Sequence, residues 1–137
     1  MKMLDSIKCD LRGKDCVIIG ASNIVGRPMA MEFLNAGATV QVCHKETKDI
    51  VQKASSADVI VAAAGVANLV KEDWVKEGAV IIDVGINRLD NGTLTGDVDY
   101  DAVKDKVSAI SPVPGGVGPM TIAVLLENTL TAYQAKL

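Results

Sequence analysis

Short apolar runs alternate with helix-length segments along the chain, and glycine or polar residues separate them. Strands rich in Val and Ile are predicted at residues 16–20, 38–43, 58–62, 79–83 and 108–111. Most are apolar at consecutive positions, which is typical of parallel strands covered on both faces. Helices are predicted between them at about residues 27–36, 47–56, 71–76 and 100–106. The pattern predicts an α/β fold with a doubly wound parallel sheet, Rossmann-like in type.

Three further segments lie outside this repeat. Asn91 and Gly92 stand between two apolar positions and predict a tight turn. Residues 1–12 have apolar positions at helical spacing, and residues 119–137 begin with a proline suited to the first turn of a helix. This last helix is apolar all round at residues 122–126. Two interpretations stay open: it packs on the sheet and the first helix, or it meets a partner surface.

Composition narrows the classes of function. The chain has 137 residues, 49% hydrophobic, which fits one compact domain. Its net charge of −3 and 3% aromatic content disfavour a nucleic-acid partner. Its longest apolar run, residues 59–67, is far shorter than the roughly 20 residues of a membrane-spanning helix. Cys9, Cys16, Cys43 and His44 lack the spacing of a zinc site. We expect a cytoplasmic protein with reduced thiols and no metal or membrane partner.

A loop of small residues, GASNIVGRP at positions 20–28, joins the first strand to a helix. Gly20 and Gly26 lack a Cβ, so backbone amides can approach a pyrophosphate at the positive end of the helix. The loop departs from Gly-x-Gly-x-x-Gly, because Ser22 replaces the second glycine and Gly26 follows the first by six residues. Spacing alone favours an ordinary turn, and the preceding strand shifts the balance toward a dinucleotide site. Residues 1–137 are then one dinucleotide-binding domain.

The second strand ends in His44, Lys45 and Glu46, about 24 residues after Gly20. An acid at this tip binds the free ribose hydroxyl of NAD, whereas a cation attracts the 2′-phosphate of NADP. We favour Lys45, which precedes Glu46, and predict NADP with NAD as the alternative. A solvated surface lysine is also consistent with the pattern. His44 is expected to be a neutral hydrogen-bonding group near the cofactor rather than a general base.

Five runs of residues resemble one family in order along the chain: 20–29 (GASNIVGRPM), 78–88 (GAVIIDVGINR), 96–98 (GDV), 111–121 (SPVPGGVGPMT) and 126–129 (LENT). The family is that of the bifunctional methylenetetrahydrofolate dehydrogenase/methenyltetrahydrofolate cyclohydrolases. The chain resembles its C-terminal NAD(P)-binding domain, and the PVPGGVGP run makes the resemblance specific.

The resemblance implies a set of cofactor-binding residues and no catalytic residue. Gly20, Ala21 and Ser22 hold phosphates and ribose, and Lys45 lies at the 2′-phosphate. Many members have arginine at the position of Ala21, which places the NADP preference on Lys45. Ala63 belongs to the turn after the third strand, beneath the cofactor. The full predicted set is Gly20, Ala21, Ser22, Val25, His44, Lys45, Ala64, Gly65, Ile86 and Thr121, with Ile86 and Thr121 at the nicotinamide end.

The resemblance also implies a folate-binding domain ahead of this one, whose catalytic lysine, tyrosine and acid have no matching positions here. The implied function is to present NADP for hydride transfer from 5,10-methylenetetrahydrofolate, followed by cyclohydrolysis, in one-carbon metabolism. Alternatives are a non-catalytic nucleotide-binding module, a subunit that needs a separate folate-binding chain, and a domain truncated in the laboratory from a longer enzyme. Apolar end helices would leave a surface patch, so a homo-oligomer is expected.

Overall fold

A computed structural model describes residues 1–136 of the chain. The elements in chain order are α1 (Lys2–Ser6), β1 (Asp15–Ile19), α2 (Gly26–Asn35), β2 (Thr39–Cys43), α3 (Ile50–Ser55), β3 (Val59–Ala62), a 3-10 helix (Glu72–Trp74), β4 (Val80–Asp83), β5 (Asn87–Arg88), β6 (Leu94–Thr95), α4 (Tyr100–Val103), β7 (Ala109–Ile110) and α5 (Val117–Gln134). Five parallel strands form one sheet in the order β2-β1-β3-β4-β7. The predicted doubly wound parallel sheet is confirmed.

The apolar strands are buried because helices cover both faces of the sheet. In β1, Val17 and Ile19 pack into the cluster beneath α3 and α4. Cys16 and Ile18 point the other way, into the cluster that includes Phe33 of α2. Successive side chains of a strand point to opposite faces, so a strand between two helical layers needs apolar residues at every position.

Helix α1 is shorter than the helix predicted over residues 1–12. It ends at Ser6, and Lys8 then adopts a left-handed backbone conformation with φ of 55°. Leu4 and Leu11 are both buried nevertheless. The apolar spacing therefore indicated burial correctly, although the second half of the segment is not helical.

Three other predicted helices are also shorter than expected. The helix predicted over residues 47–56 begins at Ile50, because Asp49 has a left-handed φ of 55°. The segment 71–76 forms only a 3-10 turn, and the helix predicted over 100–106 ends at Val103. Tertiary packing rather than propensity supplies most of a short helix's stability, so sequence indicated where these elements lie and not how long they are.

The smaller strand predictions have mixed outcomes. The strand expected at 108–111 is reduced to Ala109–Ile110, although the Ser111 N–H still donates to the Ile81 carbonyl of β4 at 3.1 Å and its hydroxyl accepts from the Asp83 N–H at 2.8 Å. The predicted turn is confirmed: Gly92 has φ of 83° and lies between the paired strands β5 and β6.

Strand order places a crevice beside β1. The chain leaves β1 for β2 on one side and later returns to β3 on the other, so the loops that follow β1 and β3 diverge. Ligands of doubly wound sheets bind at such a switch point, at the carboxyl ends of the strands. Gly20 is required there, because its φ is 121° and a Cβ would overlap the carbonyl oxygen of Ala63.

Helix α5 contacts the rest of the fold along one side only. Val124 lines a groove shared with α1 and α2, and Lys2 pairs with Glu127 at 2.8 Å. Leu125, Leu126 and most other apolar residues of the helix are more than half exposed. The sheet and α1 therefore cover only part of the helix. Within residues 1–136, no helix is both long and apolar enough to cross a membrane.

Candidate functional site

A cleft of about 480 Å³ opens at the carboxyl ends of β1, β2 and β3. It is lined by Ile19, Gly20, Ala21, Ser22, Cys43, His44, Lys45, Thr47, Ile50, Ala63, Ala64, Val66, Leu69 and Trp74. This set contains one lysine and no carboxylate among the described residues. The cleft therefore suits an anionic ligand that has apolar, flat parts.

The loop between β1 and α2 folds closely on itself. A Cβ on Gly26 would overlap the carbonyl oxygen of Gly20, so only glycine allows the loop to close. The Ser22 hydroxyl oxygen accepts a hydrogen bond from the Val25 N–H at 3.1 Å, which leaves its O–H free to donate. Helix α2 begins at Gly26, and its positive end faces this loop. The loop thus offers donors to a phosphate.

Arg27 contributes a second cation beside the loop. Its Nε donates to the carbonyl oxygen of Ala21 at 3.2 Å, which holds the guanidinium across the loop. The sequence analysis did not assign Arg27 a role. Its position directly after the helix glycine was the available signal, because a side chain in the first helical turn can reach back over the preceding loop.

The tip of β2 is ordered by a network around His44. The His44 N–H donates to the Thr47 hydroxyl at 2.9 Å, and the Thr47 N–H donates to the His44 carbonyl at 2.8 Å. The Glu46 N–H donates to Nδ1 of His44 at 3.2 Å, so the imidazole proton of a neutral ring lies on Nε2. Lys45 lines the cleft and Glu46 does not. The Lys45 side chain is 90% exposed, and its Nζ lies 3.9 Å from the Glu46 carboxylate.

The loop after β3 rests on a buried carboxylate. Asp97 is fully buried, and its Oδ2 accepts hydrogen bonds from the N–H groups of Ala64 at 2.6 Å and Gly65 at 2.8 Å. Asp83 lies next to it and is also buried. Burial raises the pKa of the Asp83 carboxyl, while backbone N–H donors, that of Asp97 foremost, favour its charged form.

Comparison with known proteins identifies the family. Residues 1–137 match the family model of the tetrahydrofolate dehydrogenase/cyclohydrolase NAD(P)-binding domain. The chain belongs to this family. The resemblance inferred from the five sequence runs is therefore confirmed.

Relatives of this tetrahydrofolate dehydrogenase/cyclohydrolase domain are close over the whole chain. The bifunctional protein FolD of Vesicomyosocius okutanii is 60% identical over 137 residues, which are all of this chain and 50% of that protein. The crystal structure of the bifunctional FolD enzyme from Campylobacter jejuni is 60% identical, with a TM-score of 0.98, covering 100% of this chain and 49% of that one. The Trypanosoma brucei FolD structure, complexed with NADP cofactor and inhibitor, is 39% identical with a TM-score of 0.93 over 99% and 48% of the two chains. The chain spans about half the length of the curated relatives it matches.

Within this NAD(P)-binding domain, six of the ten predicted residues line the cleft: Gly20, Ala21, Ser22, His44, Lys45 and Ala64. Gly65 is next to Ala64 and bonds Asp97. Ile86 follows β4 and is 62% exposed. Val25 and Thr121 instead line the apolar groove of about 600 Å³ between α1, α2 and α5. As cofactor-binding residues, all ten remain predictions.

The apolar wall of the cleft was missed by the sequence analysis. It consists of Ile50, Val66, Leu69 and Trp74. Trp74 stands in the 3-10 turn and the others in or beside loops. Trp74 is the single tryptophan of the chain, and this was the one available signal. A lone large aromatic residue near a ligand cleft is a common packing surface for a flat ring.

Proposed function

We propose that this cleft binds NADP and that the domain presents the nicotinamide for hydride transfer from 5,10-methylenetetrahydrofolate, followed by cyclohydrolysis of the methenyl product. The observation that carries the cofactor choice is Lys45, the one lysine in a lining without carboxylates in the described chain. A cation at the tip of the second strand attracts the 2′-phosphate that distinguishes NADP from NAD. The NADP held by the Trypanosoma brucei relative supports this choice.

Each part of the cleft has a separate task in this proposal. The loop at Gly20 and Ala21, together with the free O–H of Ser22, donates to the pyrophosphate, and Arg27 adds positive charge there. The apolar wall packs against the adenine ring. His44 bonds the cofactor near the adenosine end through its Nε2 proton.

The nicotinamide end is proposed to extend from Ala64 in the cleft toward the predicted residues that do not line it. Ala64 and Gly65 form the floor. Ile86 contacts the ring from the segment between β4 and β5, and Val25 and Thr121 contact it from the residue before α2 and from α5. Small side chains at the floor permit a flat ring to approach the backbone. When bound, the nicotinamide accepts the hydride, and the protein supplies orientation and excludes water.

Folate is proposed to bind to the part of the enzyme that this chain does not span. Within residues 1–136, His44 and Lys45 are the titratable side chains lining the cleft apart from Cys43, and both lie at the adenosine end. The chain alone is therefore proposed to bind NADP without turnover, because a displacement of about 1 Å at the reacting atoms can cost on the order of 10²-fold in rate. The alternative of a subunit that completes its site with a separate folate-binding chain makes the same prediction.

Two further proposals concern setting and assembly. The exposed apolar side of α5 is proposed to form an interface, either with the folate-binding part or between two copies. The cytoplasm is proposed as the compartment, because Cys9, Cys16 and Cys43 are free thiols in the structure and thiols persist in reducing compartments.

The decisive experiment is a dehydrogenase assay of the 137-residue chain with methylenetetrahydrofolate and NADP, following absorbance of the reduced nicotinamide. No turnover is expected from the chain alone. Some turnover is expected after addition of a separately produced folate-binding domain of the same family. Substantial activity of the chain alone would contradict the assignment of the catalytic groups to the other domain.

A further inference from the structure

Two interlocked carboxylates, Asp83 and Asp97, lie buried beneath the cofactor cleft. We infer that Asp97 is a positioning residue of the cofactor site, because its carboxylate fixes the loop after β3 on which the cleft floor depends. The inference rests on the proposed function insofar as it concerns NADP. Its effect on the loop can be measured without any cofactor.

Asp97 ties together three segments that are distant in sequence. Its Oδ2 accepts from the N–H groups of Ala64 and Gly65, at 2.6 and 2.8 Å. Its Oδ1 accepts from Nδ2 of Asn87 at 2.9 Å. One side chain therefore links the loop after β3 to the strand that follows Ile86. Every one of these partners is a donor, which matches an ionised carboxylate.

Asp83 holds Asp97 in turn. The backbone N–H groups of Asp97 and Val98 donate to the Asp83 carboxylate at 3.0 and 2.9 Å, and that of Gly85 donates at 3.0 Å. The Asp83 N–H donates to the Ser111 hydroxyl at 2.8 Å, so the end of β7 joins the network. Neither carboxylate pairs with a basic side chain in the part of the chain that the structure describes. Their hydrogen-bond donors are backbone and amide N–H groups.

Two glycines make room for this arrangement. A Cβ on Gly85 would overlap Oδ1 of Asp97, and a Cβ on Gly96 would overlap Oδ2 of Asp83. Neither glycine has a φ in the left-handed region, so that region does not explain them. Carboxylate oxygens occupy the space where a Cβ would lie, so the two acids require glycine at both positions.

The network determines how the loop meets a ligand. Because the N–H groups of Ala64 and Gly65 point to Asp97, they are not available to cofactor phosphates. The loop can then present its side chains, among them the Ala64 methyl group and Val66, and its carbonyl oxygens to the cleft. The Ala63 carbonyl also lies against Gly20, where a Cβ would overlap it. A shift of this loop therefore displaces the loop between β1 and α2 as well.

The test compares Asp97→Asn with Asp58→Asn in the full chain. Asp97→Asn keeps the shape of the side chain but turns an amide donor toward either Asn87 or the loop N–H groups. Asp58 is a control carboxylate at the opposite end of β3, where it accepts from the backbone N–H of Asp15 at 2.9 Å; unlike Asp97, it also pairs with Lys76 and is partly exposed. The exchange variant Asn87→Asp/Asp97→Asn reverses the polarity of the 87–97 pair and restores a donor to every acceptor.

Two readouts separate positioning from stability. Calorimetric titration gives the NADP dissociation constant. Amide hydrogen exchange by NMR compares the exchange rates of the Ala64 and Gly65 N–H groups with that of Val61 within β3. For Asp97→Asn we expect a dissociation constant raised about tenfold, since charge-assisted bonds are replaced by weaker ones. Exchange at Ala64 and Gly65 should accelerate about tenfold or more, with Val61 unchanged. The exchange variant should recover the part of both losses that comes from the 87–97 pair, because the loop N–H groups still meet a neutral amide oxygen. Asp58→Asn should bind NADP within about twofold of the natural chain.

Opposite results overturn the inference. One is that Asp97→Asn leaves both the amide exchange of the loop and the NADP affinity unchanged. The other is that Asp58→Asn loses as much NADP affinity as Asp97→Asn. Should Asp97→Asn fail to fold, Asn87→Ala retains the carboxylate and both loop bonds while removing one donor. A roughly threefold loss of affinity is expected there, and no change in affinity or exchange counts against the inference. A natural chain that binds no NADP overturns the proposed function instead, and exchange then decides the role of Asp97 alone.

Discussion

Replacing Lys45 by alanine should remove most of the preference for NADP over NAD. Lys45 lines the cleft, and its side chain is 90% exposed. A hydrogen bond between charged groups contributes roughly 1.5–3 kcal/mol. At about 1.4 kcal/mol for each factor of ten, Lys45→Ala should weaken NADP binding roughly ten- to a hundredfold. NAD lacks the 2′-phosphate, so its affinity should stay within about twofold.

The substitution should leave folding unchanged, which makes the binding result interpretable. The contact that it removes, Lys45 to Glu46 at 3.9 Å, is between two exposed side chains. Such pairs contribute little to the free energy of unfolding. Lys48→Ala is the matched control, because Lys48 is an exposed lysine of the same loop that does not line the cleft.

The assay is calorimetric titration of both cofactors into the natural chain, Lys45→Ala and Lys48→Ala, at low and high salt. The NADP preference of the natural chain should fall as salt rises, because ions screen an exposed charge pair. Equal losses for NADP and NAD in Lys45→Ala would refute the assignment of Lys45 to the 2′-phosphate. An equal loss in Lys48→Ala would show that general charge, not position, controls binding.

Two other outcomes follow from the charges and the exposed surface. The hydrogen bonds from Lys76 and the Asp15 N–H lower the pKa of Asp58 below its ordinary 3.8, so its stabilising effect is present above that pH and is lost as pH falls through the lowered value. In denaturant unfolding, Asp58→Asn should cost about 1 kcal/mol at pH 7, and the difference should shrink toward zero in acid; a constant difference would contradict this linkage. Leu126 and Leu130 are more than half exposed on α5, so the chain should self-associate at high concentration in light scattering. Leu126→Glu/Leu130→Glu should abolish this, whereas Thr131→Glu at an exposed position on the other side of the same helix should not, and a strictly monomeric natural chain would count against the interface.

The sheet could be predicted from sequence because burial on two faces leaves a local signature. Val59–Ala62 is apolar at every position, and such a run is recognisable without knowledge of its neighbours. Helix lengths could not be predicted in the same way. Asp49 in a left-handed conformation and the single turn at Glu72–Trp74 depend on contacts that a local pattern does not encode.

In the candidate site too, some residues could be predicted from local sequence and others could not. The chain places Gly20 and Ser22 just after β1 and Lys45 just after β2, so the topology of the sheet alone brings them together. Asp97 is 33 residues from Ala64 in sequence, and no spacing rule connects them. Its role became visible only through the hydrogen bonds of the folded chain.

The charges around the phosphate loop indicate why an anion belongs there. Arg27 lies in the first turn of α2, where the helix dipole disfavours a cation, and no acidic residue accompanies it in that turn. Its bond to the Ala21 carbonyl supplies one compensating contact. A bound pyrophosphate would convert this repulsion into attraction for both the helix end and the guanidinium. NAD and NADP share the pyrophosphate, so such a contact strengthens the binding of both cofactors equally. The discrimination between them then depends on Lys45 at the other end of the cleft.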